Sequence, residues 1–403
     1  MLYRLEIANF YCIRQPQVID LRVGENVTDA GGRVDALFPG SNERASRVAA
    51  FFGPNASGKS TVLKALAFIA WFTQYSVGGS PGATLPCERF NDTEAQNEPI
   101  RLAIEFTGPL DLTMTDTDAA AAQGAWRYDL SIDPSGSRHV VKTESLRQKP
   151  HGKGKWVRVF ERAGDAIQIS KAFGISSRAD RLNAVRDNAS LISTLAHLNH
   201  GPSLKLREMA KSVAGNIVVT RIEMPDHDVI EHYARNTKLV EALNSEVHRI
   251  DFGIEKMHIR PESAGPMAYF DHTGLHQQMP WRLQSHGTQT FIKNFPWLHQ
   301  ALEIGGVAVM DEIDISIHPL VLPEILRWFQ DSARNPRGAQ MWMTCHAASL
   351  LEELRKEEVF FCEKDSRGRA SVYGLKDIQS VRRADNHHKK YLSGTYGAVP
   401  RIG

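Results

Sequence analysis

Gly53-Pro54-Asn55-Ala56-Ser57-Gly58-Lys59-Ser60-Thr61 has the spacing G-x-x-x-x-G-K-[ST]. Glycines at both ends of such a loop let backbone N–H groups wrap a phosphate, the lysine reaches the outer oxygens, and the next hydroxyl holds a divalent cation. These residues are therefore candidate nucleotide-phosphate ligands, and Ser60 is also a candidate magnesium ligand. Asp311-Glu312 closes the apolar run Gly306-Val307-Ala308-Val309-Met310. At the end of a buried strand an aspartate completes the magnesium shell, and the adjacent carboxylate orients or deprotonates an attacking water. His346 ends a comparable run that starts at Gln340; an imidazole there reaches a terminal phosphate, and the alternative is a surface histidine or one with a structural partner. Ser285-His286-Gly287-Thr288-Gln289 stands just before Phe291-Ile292-Lys293, where helical spacing begins. Hydroxyl, backbone N–H and helix dipole make an anion site of such a segment, with an ordinary N-cap as the competing reading.

The elements that position these residues follow an α/β pattern. Val48 to Phe52 is continuously apolar, as a strand buried on both faces must be. The helix expected from Ser60 to about Tyr75 carries Val62, Leu63, Leu66, Phe68, Ile69, Trp71 and Phe72 around most of its circumference, which predicts burial on all sides. Further buried strands are expected at 306–310, 340–344 and 359–362, with a helix from Pro319 through Gln330 that uses the proline in its first turn. At the N-terminus, Leu5, Ile7 and Phe10, followed by Val18, Ile19 and Leu21, read as a hairpin. Short alternating runs at 101–106, 126–130, 139–141 and 156–160 read as antiparallel strands. Helical spacing returns at 189–198, 203–213 and 230–250 without sustained heptads, so no long coiled-coil arm is expected. The expected organisation is an N-terminal lobe over 1–110, an antiparallel β subdomain over 111–175, a mainly helical insertion over 176–265 and a C-terminal lobe over 266–403.

Composition narrows the classes. Of 403 residues, 42% are hydrophobic and 23% charged, which is ordinary globular usage. With 48 basic and 46 acidic residues the net charge is +2, so nucleic-acid affinity would need a local patch. Candidate patches are Arg147, Lys149, Lys153, Lys155 and Arg158, and then Arg382, Arg383, Lys389 and Lys390, against the alternative of a solvated loop and tail. Cys12, Cys87, Cys345 and Cys362 form no C-x-x-C pair, which favours a reducing cytoplasm over a zinc site or disulfide framework. No uncharged apolar run is long enough to span a bilayer, so no membrane is expected.

The order Leu5-Glu6-Ile7-Ala8-Asn9-Phe10, the phosphate loop, Ser285-His286-Gly287-Thr288-Gln289, Met310-Asp311-Glu312-Ile313-Asp314, Ile317-His318-Pro319 and Thr344-Cys345-His346 resembles the RecF/SMC-related ABC ATPases. Within them it is most similar to bacterial ATPases of the overcoming-lysogenisation-defect and abortive-infection groups, whose C-terminus the run Tyr391 to Pro400 also resembles. The resemblance covers about 1–110 and 265–403. It implies an ABC-type P-loop ATPase head with ATP and Mg2+ as cofactors. It further implies a head-to-head dimer, or a higher oligomer, in which Lys59 and Ser60 grip ATP from one side and Ser285, Gly287 and Thr288 from the other. Glu312 and His346 take the catalytic positions, and Ser60 and Asp311 hold the metal. Residues 315–318 take the place of the D-loop. His286 departs from the usual small or acidic residue, and Gln96 is the candidate for the Q-loop glutamine.

Nuclease relatives carry a Toprim domain after the ATPase, and the residues beyond His346 are too few for one. The expectation is an ATPase subunit that senses or regulates a separate effector encoded nearby, a nuclease or toxin. In this the chain resembles the ATPase component of two-gene antiphage systems such as the phage anti-restriction-induced system and Septu. The alternatives are a RecF/SMC-like repair ATPase that clamps DNA and, further off, the nucleotide-binding subunit of a transporter.

Overall fold

The computed structural model describes residues 1–29, 31–113, 122–135, 138–150, 154–176, 180–250 and 253–400. The chain opens with β1 (Leu2–Ala8) and β2 (Gln17–Asp20), the expected antiparallel hairpin. The short strands β3 (Arg22–Val23), β4 (Val34–Ala36) and β5 (Arg44–Ser46) form a sheet of their own, after which β6 (Val48–Phe52) leads to α1 (Lys59–Tyr75). Next come β7 (Ile100–Pro109), β8 (Gln123–Ser135), β9 (Arg138–Lys149), β10 (Val157–Ala163) and β11 (Ala166–Ile169). The middle of the chain holds α2 (Leu191–His197), α3 (Gly201–Lys211), β12 (Val213–Gly215), α4 (Asp226–Ala234), α5 (Thr237–Ile250), β13 (Ile254–Glu262), β14 (Gly265–His272) and β15 (Met279–Pro280). The last part contains α6 (His286–Ile304), β16 (Val307–Met310), α7 (Leu322–Gln330), β17 (Gln340–Thr344), β18 (Val359–Lys364), β19 (Ala370–Gly374) and α8 (His387–Leu392).

Two large sheets enclose α1. The central one has the order β12-β16-β17-β6-β18-β19, parallel throughout except for β19 at its edge. Every residue of β6, β16 and β17 is buried, which is why their sequences run apolar without alternation apart from Gln340 and Thr344 at the two ends of β17. The second sheet is antiparallel, in the order β11-β10-β9-β8-β7-β1-β2. Because α1 packs against β16 and β17 on one side and β1 and β7 on the other, it has no solvated face to supply with polar residues. Phe51 lies between Trp342 and Phe360, with ring centroids 5.9 Å and 5.3 Å away, and so holds β6 in its sheet just before the phosphate loop. Such aromatic pairs contribute about 0.5–1.5 kcal/mol beyond their burial.

Several expectations differ from the structure. The strands over 111–175 do not stand apart, because β8 pairs with β7 and extends the sheet that β1 and β2 begin. Within the stretch expected to be mainly helical, β12 joins the central sheet in parallel register with β16, and β13 begins a separate small sheet that β14 and β15 complete beyond residue 265. The three half-buried residues of β12 are too few to show a periodicity, so pairing alone identifies this strand. The helix expected from Pro319 starts at Leu322, with Pro323 in its first turn. The residues before it are taken up by turns, in which Val321 N–H donates to His318 C=O at 2.9 Å. Among the described residues no helix is long and apolar enough to cross a membrane.

Candidate functional site

The phosphate loop leaves β6 at Gly53, whose φ of 147° and close packing both demand glycine: a Cβ there would lie 2.1 Å from the Cys362 carbonyl oxygen. Gly58 repeats the case with φ 105° and a would-be Cβ 2.8 Å from Ala370 Cβ. Gly58 is also the N-cap of α1, which has neither a side-chain cap nor an acid in its first turn. The positive end of the helix dipole is therefore left for an anion. Lys59 Nζ donates to the loop's own Gly53 and Pro54 carbonyls, at 2.8 Å and 2.9 Å. Burial pulls its ammonium below the ordinary lysine range. Ser57 Oγ is buried without a hydrogen-bond partner among the described residues. An orphaned hydroxyl, a self-solvated lysine and an uncapped helix end together fit a polyphosphate.

The strand ends complete the cluster. Asp311, buried at the tip of β16, accepts from Ser60 Oγ at 2.8 Å and from Thr344 Oγ1 at 2.7 Å on the same carboxylate oxygen. Thr344 Oγ1 in turn accepts from Glu312 N–H at 2.6 Å. The loop serine and the acidic strand end, far apart in sequence, thus share one hydrogen bond, in the arrangement that suits a magnesium ion between them. Glu312 has φ 50°, a left-handed conformation that costs a non-glycine residue about 1–2 kcal/mol. One carboxylate oxygen pairs with Arg221 Nη1 at 3.0 Å, and the other faces His346 Nε2 at 3.8 Å. Asp314 Oδ2 accepts from the N–H groups of His346 and Ala347, both at 2.8 Å, which fixes the turn carrying the histidine.

A family model described as "AAA domain, putative AbiEii toxin, Type IV TA system" matches residues 48–352, from the strand before the phosphate loop past His346. The chain belongs to this AAA-domain family. No curated protein matches it. Among solved structures, the SMC head domain from Thermotoga maritima is similar at 13% identity and TM-score 0.41, covering 93% of this chain and 98% of that one. The SmcHead bound to the C-winged helix domain of ScpA is similar at 12% identity and TM-score 0.44, covering 93% and 97%. An Smc head domain with an extended coiled coil, bound to the C-terminal domain of ScpA derived from Pyrococcus furiosus, has the same identity and TM-score, with 93% and 96% covered.

In this AAA domain the remaining candidates fall as follows. Ser285 is the N-cap of α6: its Oγ accepts from Thr288 N–H at 3.1 Å and lies 2.8 Å from Thr288 Oγ1. Gly287 meets the rest of the cluster through the turn after Glu312, since a Cβ on it would lie 2.4 Å from the Ser316 carbonyl oxygen. Gln96 spends its side-chain amide on Phe90 C=O at 3.2 Å, within its own loop. Of the basic candidates, Arg147 pairs with Asp129, Arg158 bonds Gln168, Lys149 lies over the Trp156 ring, Arg383 pairs with Glu357 and Lys390 with Asp385. Lys153 lies outside the described residues.

Sequence reasoning passed over Asn216, Arg221, Thr344 and Asp314 as site residues. Thr344 and Asp314 stand within the quoted motifs, and their hydroxyl and carboxylate were legible signals. Asn216 and Arg221 lie in the 176–265 stretch with no motif around them, and β12 alone carries them to the site.

Proposed function

We propose that this AAA domain binds and hydrolyses ATP between two copies of the chain, and that it serves as the sensing or regulating ATPase of an antiphage defence assembly with a separate effector. The observation that carries the hydrolytic reading is the shared oxygen of Asp311, which joins Ser60 to the strand end from which Glu312 projects. In this reading Gly53 to Thr61 wrap the phosphates, and Lys59 exchanges its two carbonyl partners for phosphate oxygens. Ser60 and Asp311 would hold Mg2+, which when bound would supply charge neutralisation at the phosphates. Glu312 accepts the proton of the attacking water, and His346 supports the terminal phosphate.

Ser285, Gly287 and Thr288 act on the nucleotide of the second copy. Support for that arrangement comes from Leu283, Ile315 and Leu320, which flank Ser285 and the Ser316 turn and are 57%, 39% and 79% exposed. Apolar side chains clustered around a polar anion site suit an interface that closes over a ligand. The defence role rests on the resemblance of the motifs, while the family's description names a putative toxin of a type IV TA system. A DNA-clamping role finds less support, because so many of the candidate cations are already engaged within the chain.

The deciding experiment is the ATPase rate, ATP-dependent assembly size and retention of a co-expressed neighbouring gene product for wild type and Glu312→Gln. Glutamine keeps size and hydrogen bonding but removes the negative charge, so the expected result is a chemical step slower by about 100-fold or more with ATP still bound. The closed assembly should then accumulate and hold its partner in one state. Wild-type turnover in the variant would remove Glu312 from the chemistry, and normal partner cycling without turnover would refute coupling to hydrolysis.

A further inference from the structure

Glu312 is held from a direction that the motifs do not mention. The segment after β12 forms a tight loop, closed by a bridge between Ile217 and Arg221 and by Ile222 N–H donating to Asn216 C=O at 2.7 Å. The base of that loop is pinned to the acidic end of β16, because Asn216 Nδ2 donates to Asp311 C=O at 3.0 Å and Asn216 Oδ1 accepts from Asp311 N–H at 2.7 Å. Its far side carries Arg221, whose guanidinium pairs with Glu312 at 3.0 Å. A loop fixed at Asp311 and touching Glu312 leaves the arginine little freedom to do anything but set that carboxylate.

We propose that Arg221 is a positioning residue for hydrolysis: it holds the Glu312 carboxylate, on its left-handed backbone, in the place from which it polarises water. The inference rests on the hydrolytic reading above. Glu312 is about one-third exposed and Arg221 about one-quarter, so neither burial nor packing fixes the glutamate rotamer. The ion pair does. His346 at 3.8 Å is too far to hold the other oxygen by a hydrogen bond, which leaves the guanidinium as the short contact on this side chain among the described residues. Arg221 also comes from the segment between α3 and α4, so any movement of those helices reaches the hydrolytic carboxylate through one side chain. Outer contacts of this kind typically govern activity by about 10- to 100-fold when removed.

The test uses the full chain with Arg221→Ala, Arg221→Lys and Arg221→Met. For each, single-turnover hydrolysis of ATP·Mg2+ is measured beside equilibrium binding of a fluorescent ATP analogue. The expected result is a turnover rate lower by about 10-fold or more in the alanine and methionine variants, nucleotide affinity within about twofold of wild type, and partial recovery in the lysine variant. A rate equal to or above wild type in Arg221→Ala would overturn the proposal, since the pair would then be idle or a restraint. A parallel loss of affinity would also overturn it, by making Arg221 a phosphate ligand. Should wild type itself fail to hydrolyse ATP while binding it, the hydrolytic reading falls first, and that result is distinct from an Arg221 variant that keeps pace with an active wild type.

Discussion

Asn216 brackets Asp311 from both sides, accepting from its N–H and donating to its C=O with one side-chain amide. The backbone of the central acidic residue therefore depends on a side chain that reaches it from the 176–265 stretch. Replacing Asn216 by Ala leaves two buried peptide groups unpaired, each at a cost of about 1–3 kcal/mol. The expected loss is at least about 2 kcal/mol of stability, read as a lower denaturant midpoint with an unchanged slope. An unchanged midpoint would mean that water takes over both bonds.

Lys59→Ala tests the phosphate loop. The lysine rests on two carbonyls of its own loop, one of them buried, so its removal costs the resting fold some stability as well, while a charge-assisted phosphate contact is worth about 1.5–3 kcal/mol. ATP affinity should fall by about tenfold or more at a temperature where the variant is still fully folded. Unaltered affinity in a direct binding assay would sink the assignment of the loop.

Ser285→Arg separates two roles that coincide in one residue. As the N-cap of α6, Ser285 contributes about 1 kcal/mol, and its loss should lower the melting temperature slightly. As a ligand of the second copy's nucleotide, it should be needed for closure: ATP binding survives in the separate subunit, while ATP-dependent dimerisation and turnover are lost. Normal turnover with only the small stability change would leave the N-cap as its whole role.

Acid stability should report on the far sheet. Arg127 donates to both carboxylate oxygens of Glu6, at 2.8 Å and 3.0 Å, and this pairing, helped by Arg4, pulls the Glu6 carboxyl down to about 2 from its usual 4.5. A depressed carboxylate stabilises the fold fully above its unfolded value, and that contribution fades as pH falls from 4.5 towards about 2. Glu6→Gln should therefore lower the melting temperature at neutral pH and by progressively less below pH 4.5, where wild type loses the same interaction. A deficit that stays constant into acid would assign the effect to packing.

The phosphate loop, the acidic strand end and the buried strands that carry them are legible in the amino-acid sequence alone. These signals are local: glycine spacing, an uninterrupted apolar run and a charged residue where the run stops can each be read within about ten residues. The helix α1 was legible for the same reason, since a helix enclosed by two sheets must be apolar around its circumference. What the acids touch depends instead on long-range packing. Nothing local to Val213–Gly215 marks it as a strand, and it becomes one only by pairing beside β16. That pairing brings Asn216 to Asp311 and Arg221 to Glu312. Likewise, Pro319 looked like a helix start because proline fits a first turn anywhere, yet the turns after Glu312 use up those residues and Pro323 takes the position. Contacts made across long sequence separation depend on which backbones pair, and pairing is a property of the whole sheet rather than of any one segment.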